Sequence, residues 1–320
     1  MNRRSQVKTL IAMAAIVTAG CTTQSASQDT ASTTPVQPPA TTNAAPSPSG
    51  QGQPRPGMVL IPAGNYPLGR DDGPAEERPA HQVAIRPYYI DAYPVTTQQY
   101  VDWANTHTNL VNARGGDRRR WDGPLHPAES DAVRDQNGRE IFTTDDSDDD
   151  SRVLRRDGRF AVEQGFADHP VTEVYWWGAH LYCQARGARL LTEAGWEAAA
   201  RGTEGRTYPW GNEAPNDSRA QFGKRYGETS PVTAHPAGAT PQGVYDLVGN
   251  LYEWTSSLDR PYPYVANDGR EDLLSRDLRI TRGGAHDERA ANMRPTDRDG
   301  YSRDPFAGHH HIGFRCGADA

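Results

Sequence analysis

The sequence predicts an irregular α+β domain of short strands, long loops and two neighbouring helices. Three observations predict it. Two helical stretches, residues 173–185 and 193–201, lie side by side mid-chain with cap or stop residues in place. Apolar runs elsewhere are only a few residues long, broken by turn residues among the 31 glycines and 25 prolines of this 320-residue chain. The helices do not alternate with the strands, so a βαβ array is not expected. A hydrophobic content of 35% and a mean hydropathy of −0.81, without sustained apolar periodicity, exclude a helical bundle, a coiled coil and a polytopic membrane protein. The formal charge of −7 lacks the basic excess that phosphate-backbone binding needs, so no nucleic-acid partner is expected. Three cysteines are too few for a disulfide-dense scaffold or a four-thiolate zinc site.

The chain opens with Arg3, Arg4 and Lys8, then an apolar run from Leu10 to Val17, then Thr18-Ala19-Gly20-Cys21. A basic start, an apolar stretch too short to span a bilayer and small residues before the cut read as a signal peptide over residues 1–20. The Cys after Ala19-Gly20 resembles a bacterial lipobox, so Cys21 is expected to carry lipid and anchor the chain to a membrane. Plain cleavage leaving a free Cys21 is the alternative. Thr22 in place of Asp points to the outer membrane of a bacterial cell envelope. Loss of residues 1–20 removes three positive charges and takes the net charge from −7 to −10. Residues 22–57 hold seven prolines, no aromatic residue and one large aliphatic, Val36. Such a segment cannot offset its ordering entropy and reads as a tether; residues 58–320 are the working domain.

Within that domain, Met58–Leu68 reads as a strand with a Pro-Ala-Gly turn, and Gln82–Ile90 as a second strand. Thr96 caps a short helix to Asn105. Residues 111–165, with Arg118-Arg119-Arg120 and the acidic run Asp145, Asp146, Asp148, Asp149 and Asp150, show no apolar period and read as a solvated variable insertion. Contiguous aspartates without a glycine turn are usually exposed charge and not a Ca²⁺ loop. Glu173–Ala185 places Val174, Trp177, Leu181 and Tyr182 on one face, with Gly187 as its stop. Thr192 caps Glu193–Arg201, which Gly202 ends. Gly195 holds the position where a capping box needs an acid, so that helix start lacks its reciprocal partner. Short pieces follow at Tyr208-Pro209-Trp210-Gly211, Gly243–Trp254, Leu278–Gly284 and Ile312–Cys316. Trp176, Trp177, Trp196, Trp210 and Trp254 are expected in the core. In an oxidising compartment Cys183 and Cys316 can pair, the alternative being two buried free thiols; the bridge would close a loop worth about 5 kcal/mol.

The string His169–Gly202 (HPVTEVYWWGAHLYCQARGARLLTEAGWEAAARG) resembles the helix pair of the formylglycine-generating enzyme, or sulfatase-modifying factor, family. Met58–Gly64, Tyr93–Thr96, Tyr208–Asn212, Val244–Trp254, Arg282-Gly283-Gly284 and Gly313-Phe314-Arg315-Cys316 follow the family's blocks in its order. The resemblance implies that family's variant of the C-type-lectin-like fold. It also implies a bridge between Cys183 and Cys316. Fold does not carry function, because the family contains oxidases, other enzymes and binding proteins.

Members that modify sulfatases hold copper with two cysteines after the Arg-Gly-Gly block, and here those positions fall at Glu288 and near Met293. Without a soft thiolate pair, formylglycine generation by that route is not expected. The sulfoxide synthases take iron from a separate His-rich helical domain, and no such domain is legible before Met58. The resemblance also implies a Ca²⁺ loop, with side chains of Asp246 and Glu253 and carbonyls of Gly249 and Leu251 as ligands. A second chemistry is open at His309-His310-His311. If these lie on a strand, His309 and His311 share a face, and His286 or Glu288 would complete a facial set for copper or iron. Glu288 and His286 are then the candidate catalytic residues. No nucleophile elbow and no phosphate loop is present.

Two functions stand. One is a membrane-tethered, calcium-stabilised domain that binds a protein, peptide or glycan with its C-terminal loops, residues 287–311, and catalyses nothing. The other is an extracytoplasmic, metal- and oxygen-dependent oxidase acting on a peptide or a peptide-derived small molecule.

Overall fold

A computed structural model describes residues 55–107, 111–112, 132–145, 148, 150–298 and 304–320. The expected signal peptide, Cys21 and the tether up to residue 54 lie outside the described residues, as do Arg118-Arg119-Arg120, Asp146 and Asp149.

Met58–Ile61 forms β1 and Gly64–Leu68 forms β2, with Pro62-Ala63 between them. The segment read as one strand over Gln82–Ile90 is two: β3 is His81–Ile85 and β4 is Tyr88–Asp91. The break falls at Arg86-Pro87, because Pro87 has no N–H to continue a ladder. Helix α1, Thr97–Thr106, begins at Thr96, whose side chain accepts the Gln99 N–H while the Gln99 side chain accepts the Thr96 N–H.

The region expected to be a solvated insertion carries five short strands, β5 (Val111–Asn112), β6 (Val133–Arg134), β7 (Glu140–Phe142), β8 (Val153–Arg156) and β9 (Arg159–Val162). Val133, Ile141, Phe142 and Val153 are buried, and Phe142 meets Phe160 edge-on at 5.0 Å. Its strands are two to four residues long, too short for a period to show. The acidic run is partly built in: Asp145 pairs with Arg156 at 2.8 Å, and Asp150 accepts the Tyr226 hydroxyl at 2.5 Å.

Helix α2 spans Trp176–Ala185, starting three residues later than expected. Glu173 has φ 57°, and Val174 bridges Phe142 in extended form, so the chain turns into the helix only at Tyr175. Its buried face is Trp176, Ala179, Tyr182 and Cys183, while Trp177 and Leu181 are half-covered. After β10 (Arg189–Leu190), α3 covers Glu193–Arg201, with the Thr192 hydroxyl accepting the Gly195 N–H at 3.0 Å and Gly202 at φ 63° ending it. Strands β11 (Tyr252–Leu258), β12 (Arg279–Arg282), β13 (Ile312–Gly313) and β14 (Cys316–Asp319) complete the domain.

Two sheets position everything that follows. The first has the order β1-β4-β14-β10, so the last strand pairs with both β4 and β10. Leu190 faces Cys316 in that register, and Cys183 on α2 bonds Cys316 with a Cα separation of 5.6 Å. The second sheet is β12-β11-β13, antiparallel on one side of β11 and parallel on the other. Glu253 lies opposite Arg282, and Tyr252 opposite Ile312. Residues leaving β12 and residues entering β13 therefore converge at the start of β11. Trp176, Trp196 and Trp254 are fully buried between these layers, and Trp177 and Trp210 are partly so.

Candidate functional site

The convergence point is made of three segments: the turn before β11, the loop after β12 and the segment before β13. Gly283 and Gly284 take φ of 112° and 75°, where a side chain would be strained. A Cβ on Gly283 would sit 2.8 Å from the Leu247 carbonyl, so this loop can lie flat on the 246–251 turn only as glycine. The Gly249 N–H bonds the Gly283 carbonyl at 3.0 Å and seals the contact.

Two buried arginines bolt the loops down. Arg282 pairs with Glu197, lies 3.8 Å from Glu193, and donates to the Thr296 and Asp297 carbonyls. Tyr262 and Arg201 also donate to Glu197, at 2.9 and 2.8 Å, so the carboxylate is held ionised despite its burial. Arg315 donates to Glu253 at 2.6 Å and to the Tyr245 and Asp246 carbonyls at 2.9 and 3.1 Å.

The expected calcium ligands are near one another, but the arrangement does not fit the cation. Both oxygens of Glu253 are engaged by Arg315, and one also accepts the Trp196 indole N–H at 2.8 Å. The Gly249 carbonyl accepts the Leu251 N–H at 2.7 Å. Ca²⁺ asks for six to eight oxygens, and here a guanidinium supplies the positive charge instead. Asp246 keeps one oxygen on the Asn250 amide at 2.8 Å, while the other is buried without a hydrogen-bond partner. Burial pushes its carboxyl up to about 7, against the pull of Asn250 and Arg315 and with a further push from Glu253.

The expected metal set of His309 and His311 with His286 or Glu288 is not the one that gathers. Residues 309–311 form a turn and not a strand: the Ile312 N–H bonds the His309 carbonyl at 3.0 Å. His309 and His311 do stack, with ring centroids 5.7 Å apart, yet neither joins a ligand cluster among the described residues. Burial pushes His309 down to about 4 and His311 down to about 3. Glu288 accepts the Asn292 amide at 2.7 Å and faces that turn. Met293, near which the resemblance places the second cysteine, is fully buried with Ala220 and Val248.

The structure instead brings together His286, Asp287 and His310, each with a ligand atom within 4.8 Å of the others'. Of these only His286 was singled out for metal chemistry. His286 is fully buried and its Nδ1 lies 2.9 Å from the Asn250 carbonyl. Asp287 is 3.6 Å from Nε2 of His310, a contact that with neighbouring His286 and His311 holds its carboxyl down to about 2. That same Nε2 lies 2.9 Å from Nδ1 of His311, and the Tyr226 ring covers His310 at 3.6 Å between centroids. The His-Asp pair directly after Arg-Gly-Gly-Ala was the available sequence signal.

Known proteins agree with this architecture. The sulfatase-modifying factor enzyme 1-like domain matches residues 42–320. The serine/threonine-protein kinase Pkn1 of Chlamydia trachomatis is 30% identical over 82% of this chain, which spans only 38% of that protein. An inactive C-alpha-formylglycine-generating enzyme 2 from Bos taurus is 31% identical, covering 82% of this chain and 88% of the relative. Hercynine oxygenase of Mycobacterium tuberculosis is 33% identical over 78% of this chain and 57% of its own length. Among solved structures, PvdO from Pseudomonas aeruginosa superposes with a TM-score of 0.55 at 23% identity, over 82% of this chain and 94% of PvdO, a likeness of fold. The family match spans most of the chain and the fold agrees with it: this protein belongs to the formylglycine-generating enzyme, or sulfatase-modifying factor, family.

Proposed function

We infer that this chain is an extracytoplasmic binding domain of the family, tethered to a membrane through lipidated Cys21, and that it does not generate formylglycine. The observation that carries the reading is a set of exposed apolar side chains on the loop between β11 and β12. Of the six exposed large hydrophobic residues among the described ones, Val265, Leu273, Leu274 and Leu278 lie on a single loop, and Leu274 is 82% exposed. The loop sits beside residues 304–306, where Arg276 covers the Phe306 ring at 4.4 Å. Single surface leucines need no explanation, whereas four exposed apolar residues on one loop support a contact surface for a protein or peptide. Glu288 and Met293 at the cysteine positions support the absence of thiolate-copper chemistry.

A photo-crosslinking residue placed at Leu274 in the full-length, anchored protein tests this. A discrete adduct at Leu274, absent from a control placed on the exposed Arg86 and weakened by Leu278→Asp, is the expected result. Crosslinking no stronger than at Arg86 would remove the contact surface. Conversion of a peptide cysteine to formylglycine by the purified protein would overturn the reading.

A further inference from the structure

We propose that His286, Asp287 and His310 form a binding site for one divalent transition-metal ion, distinct in its ligands from a thiolate copper site. The strongest observation is the state of His286. Its ring is completely buried, and its backbone N–H and its Nδ1 both point at the Asn250 carbonyl, at 3.2 and 2.9 Å. A carbonyl only accepts, so Nδ1 must carry the proton and Nε2 must present a lone pair. That Nε2 is buried and has no hydrogen-bond partner. An imidazole locked by a carbonyl on one nitrogen, with the other nitrogen bare, is the arrangement by which proteins orient a histidine toward a metal. An unsatisfied buried acceptor otherwise costs about 1–3 kcal/mol, and among the described residues this nitrogen has no hydrogen-bond partner to offset it.

The second observation is the pair of donors gathered around this ring. The ligand atoms of His286, Asp287 and His310 all lie within 4.8 Å of one another. Ligands bound to one ion at roughly 2.0–2.2 Å stand roughly 3 to 3.5 Å apart, so closure needs side-chain movements of about 1 Å. The sheet makes the set possible. His286 and Asp287 leave β12, and His310 enters β13, at the same end of β11. The contact between His310 and His311 at 2.9 Å gives way when His310 turns to the ion.

The donor set selects the metal class. Two imidazole nitrogens and one carboxylate oxygen suit Fe²⁺, Zn²⁺, Co²⁺ or Cu²⁺, and disfavour Ca²⁺ and Mg²⁺, which take oxygens almost exclusively. The two histidines are buried, while the Asp287 side chain is 31% exposed. Three protein ligands with the carboxylate at the open edge leave at least one coordination position facing solvent, as in sites that bind a further ligand. This assignment does not depend on the contact surface inferred above: a metal can serve an anchored binder or a metal-dependent enzyme equally.

Cobalt titration of the full-length, chelator-stripped protein tests it, because Co²⁺ in a nitrogen–oxygen site with fewer than six ligands absorbs visibly. The expected result is saturation at one equivalent, with the absorbance displaced by Zn²⁺ and untouched by millimolar Ca²⁺. Asp287→Asn, a change at an exposed side chain, and His310→Gln should each weaken Co²⁺ by roughly a hundredfold or more, since even residues that only support a ligand cost 10–100-fold. Glu288→Gln should bind as the parent does, and each variant's melting curve establishes that it is folded. Absence of a one-equivalent Co²⁺ complex overturns the proposal. So does a complex whose affinity is unchanged in folded Asp287→Asn and His310→Gln, or one lost in Glu288→Gln.

Discussion

Asp246→Asn separates two accounts of the turn before β11. Asp246 is 4% exposed and sits at φ 56°, a left-handed conformation that Asp and Asn tolerate better than most residues. Burial raises its carboxyl from 3.8 to about 7. Glu253 adds to the rise, while Asn250 and Arg315 oppose it. A carboxyl whose folded value is raised contributes stability that is fully present below the unfolded value and is lost as pH rises through the folded one. The window therefore runs from about 4 to about 7. At about 1.4 kcal/mol per pH unit, the interval corresponds to on the order of 4 kcal/mol. Asparagine keeps an acceptor for the Asn250 amide and cannot ionise, so this component vanishes in the variant. Its own buried N–H offsets the gain by about 1–3 kcal/mol at every pH, which moves the curve without changing its slope.

The assay is denaturant unfolding of parent and variant at half-unit steps from pH 4 to pH 8.5, in chelator. The parent should lose about 4 kcal/mol more than the variant across that range. Parallel curves would refute the reasoning, because they would mean the carboxylate is ionised throughout at no cost. Repeating the series in millimolar Ca²⁺ tests the alternative directly. If calcium stabilises the parent and not Asp246→Asn, the oxygen cage forms and Arg315 must yield Glu253 to it.

The remaining predictions concern the frame and the anchor. Cys183→Ala with Cys316→Ala opens a loop of 133 residues and should lower stability by about 2–5 kcal/mol, read from melts with and without reductant. Arg315→Met leaves the Glu253 carboxylate buried without its cation and should cost about 3–5 kcal/mol, much of it recovered by adding Glu253→Gln. Cys21→Ala should move the protein from the membrane to the soluble fraction of lysed cells, and retention on the membrane would remove the lipid anchor.

Helix ends were legible because capping is local chemistry. Thr96 and Gln99, or Thr192 and Gly202, need only their own neighbours to set a boundary, and α1 and α3 begin and end within a residue of expectation. The start of α2 was not legible. Glu173 and Val174 look helical by period, yet the Glu173 N–H is taken by the His309 carbonyl and Val174 bridges Phe142, both remote in sequence. The strands over residues 133–162 were hidden for the same reason: Ile141 and Phe142 become core only once α2 lies against them. At the site, His286 was found from its place after Arg-Gly-Gly. The groups expected beside it were His309, His311 and Glu288, and the cluster formed around it has His310 and Asp287 instead. A strand over 309–311 would have put alternate histidines on one face, and a turn puts the middle one there instead.

That displacement follows from how the second sheet is joined. β11 holds β12 antiparallel and β13 parallel, so the residue after Arg282 and the residue before Ile312 must meet at one end of β11 whatever their identity. The glycines that let the loop lie flat, and the arginines that pin both neighbours to α3 and to the 245–253 turn, are spent on making that meeting rigid. The side chains at the few positions that project from the meeting point are not part of this frame. Where the resemblance places the two cysteines, at Glu288 and near Met293, this chain has a glutamate turned to Asn292 and a methionine packed into the interior. The projecting groups are two imidazoles and a carboxylate. On the proposal above, these donors would select metals that a thiolate pair would not.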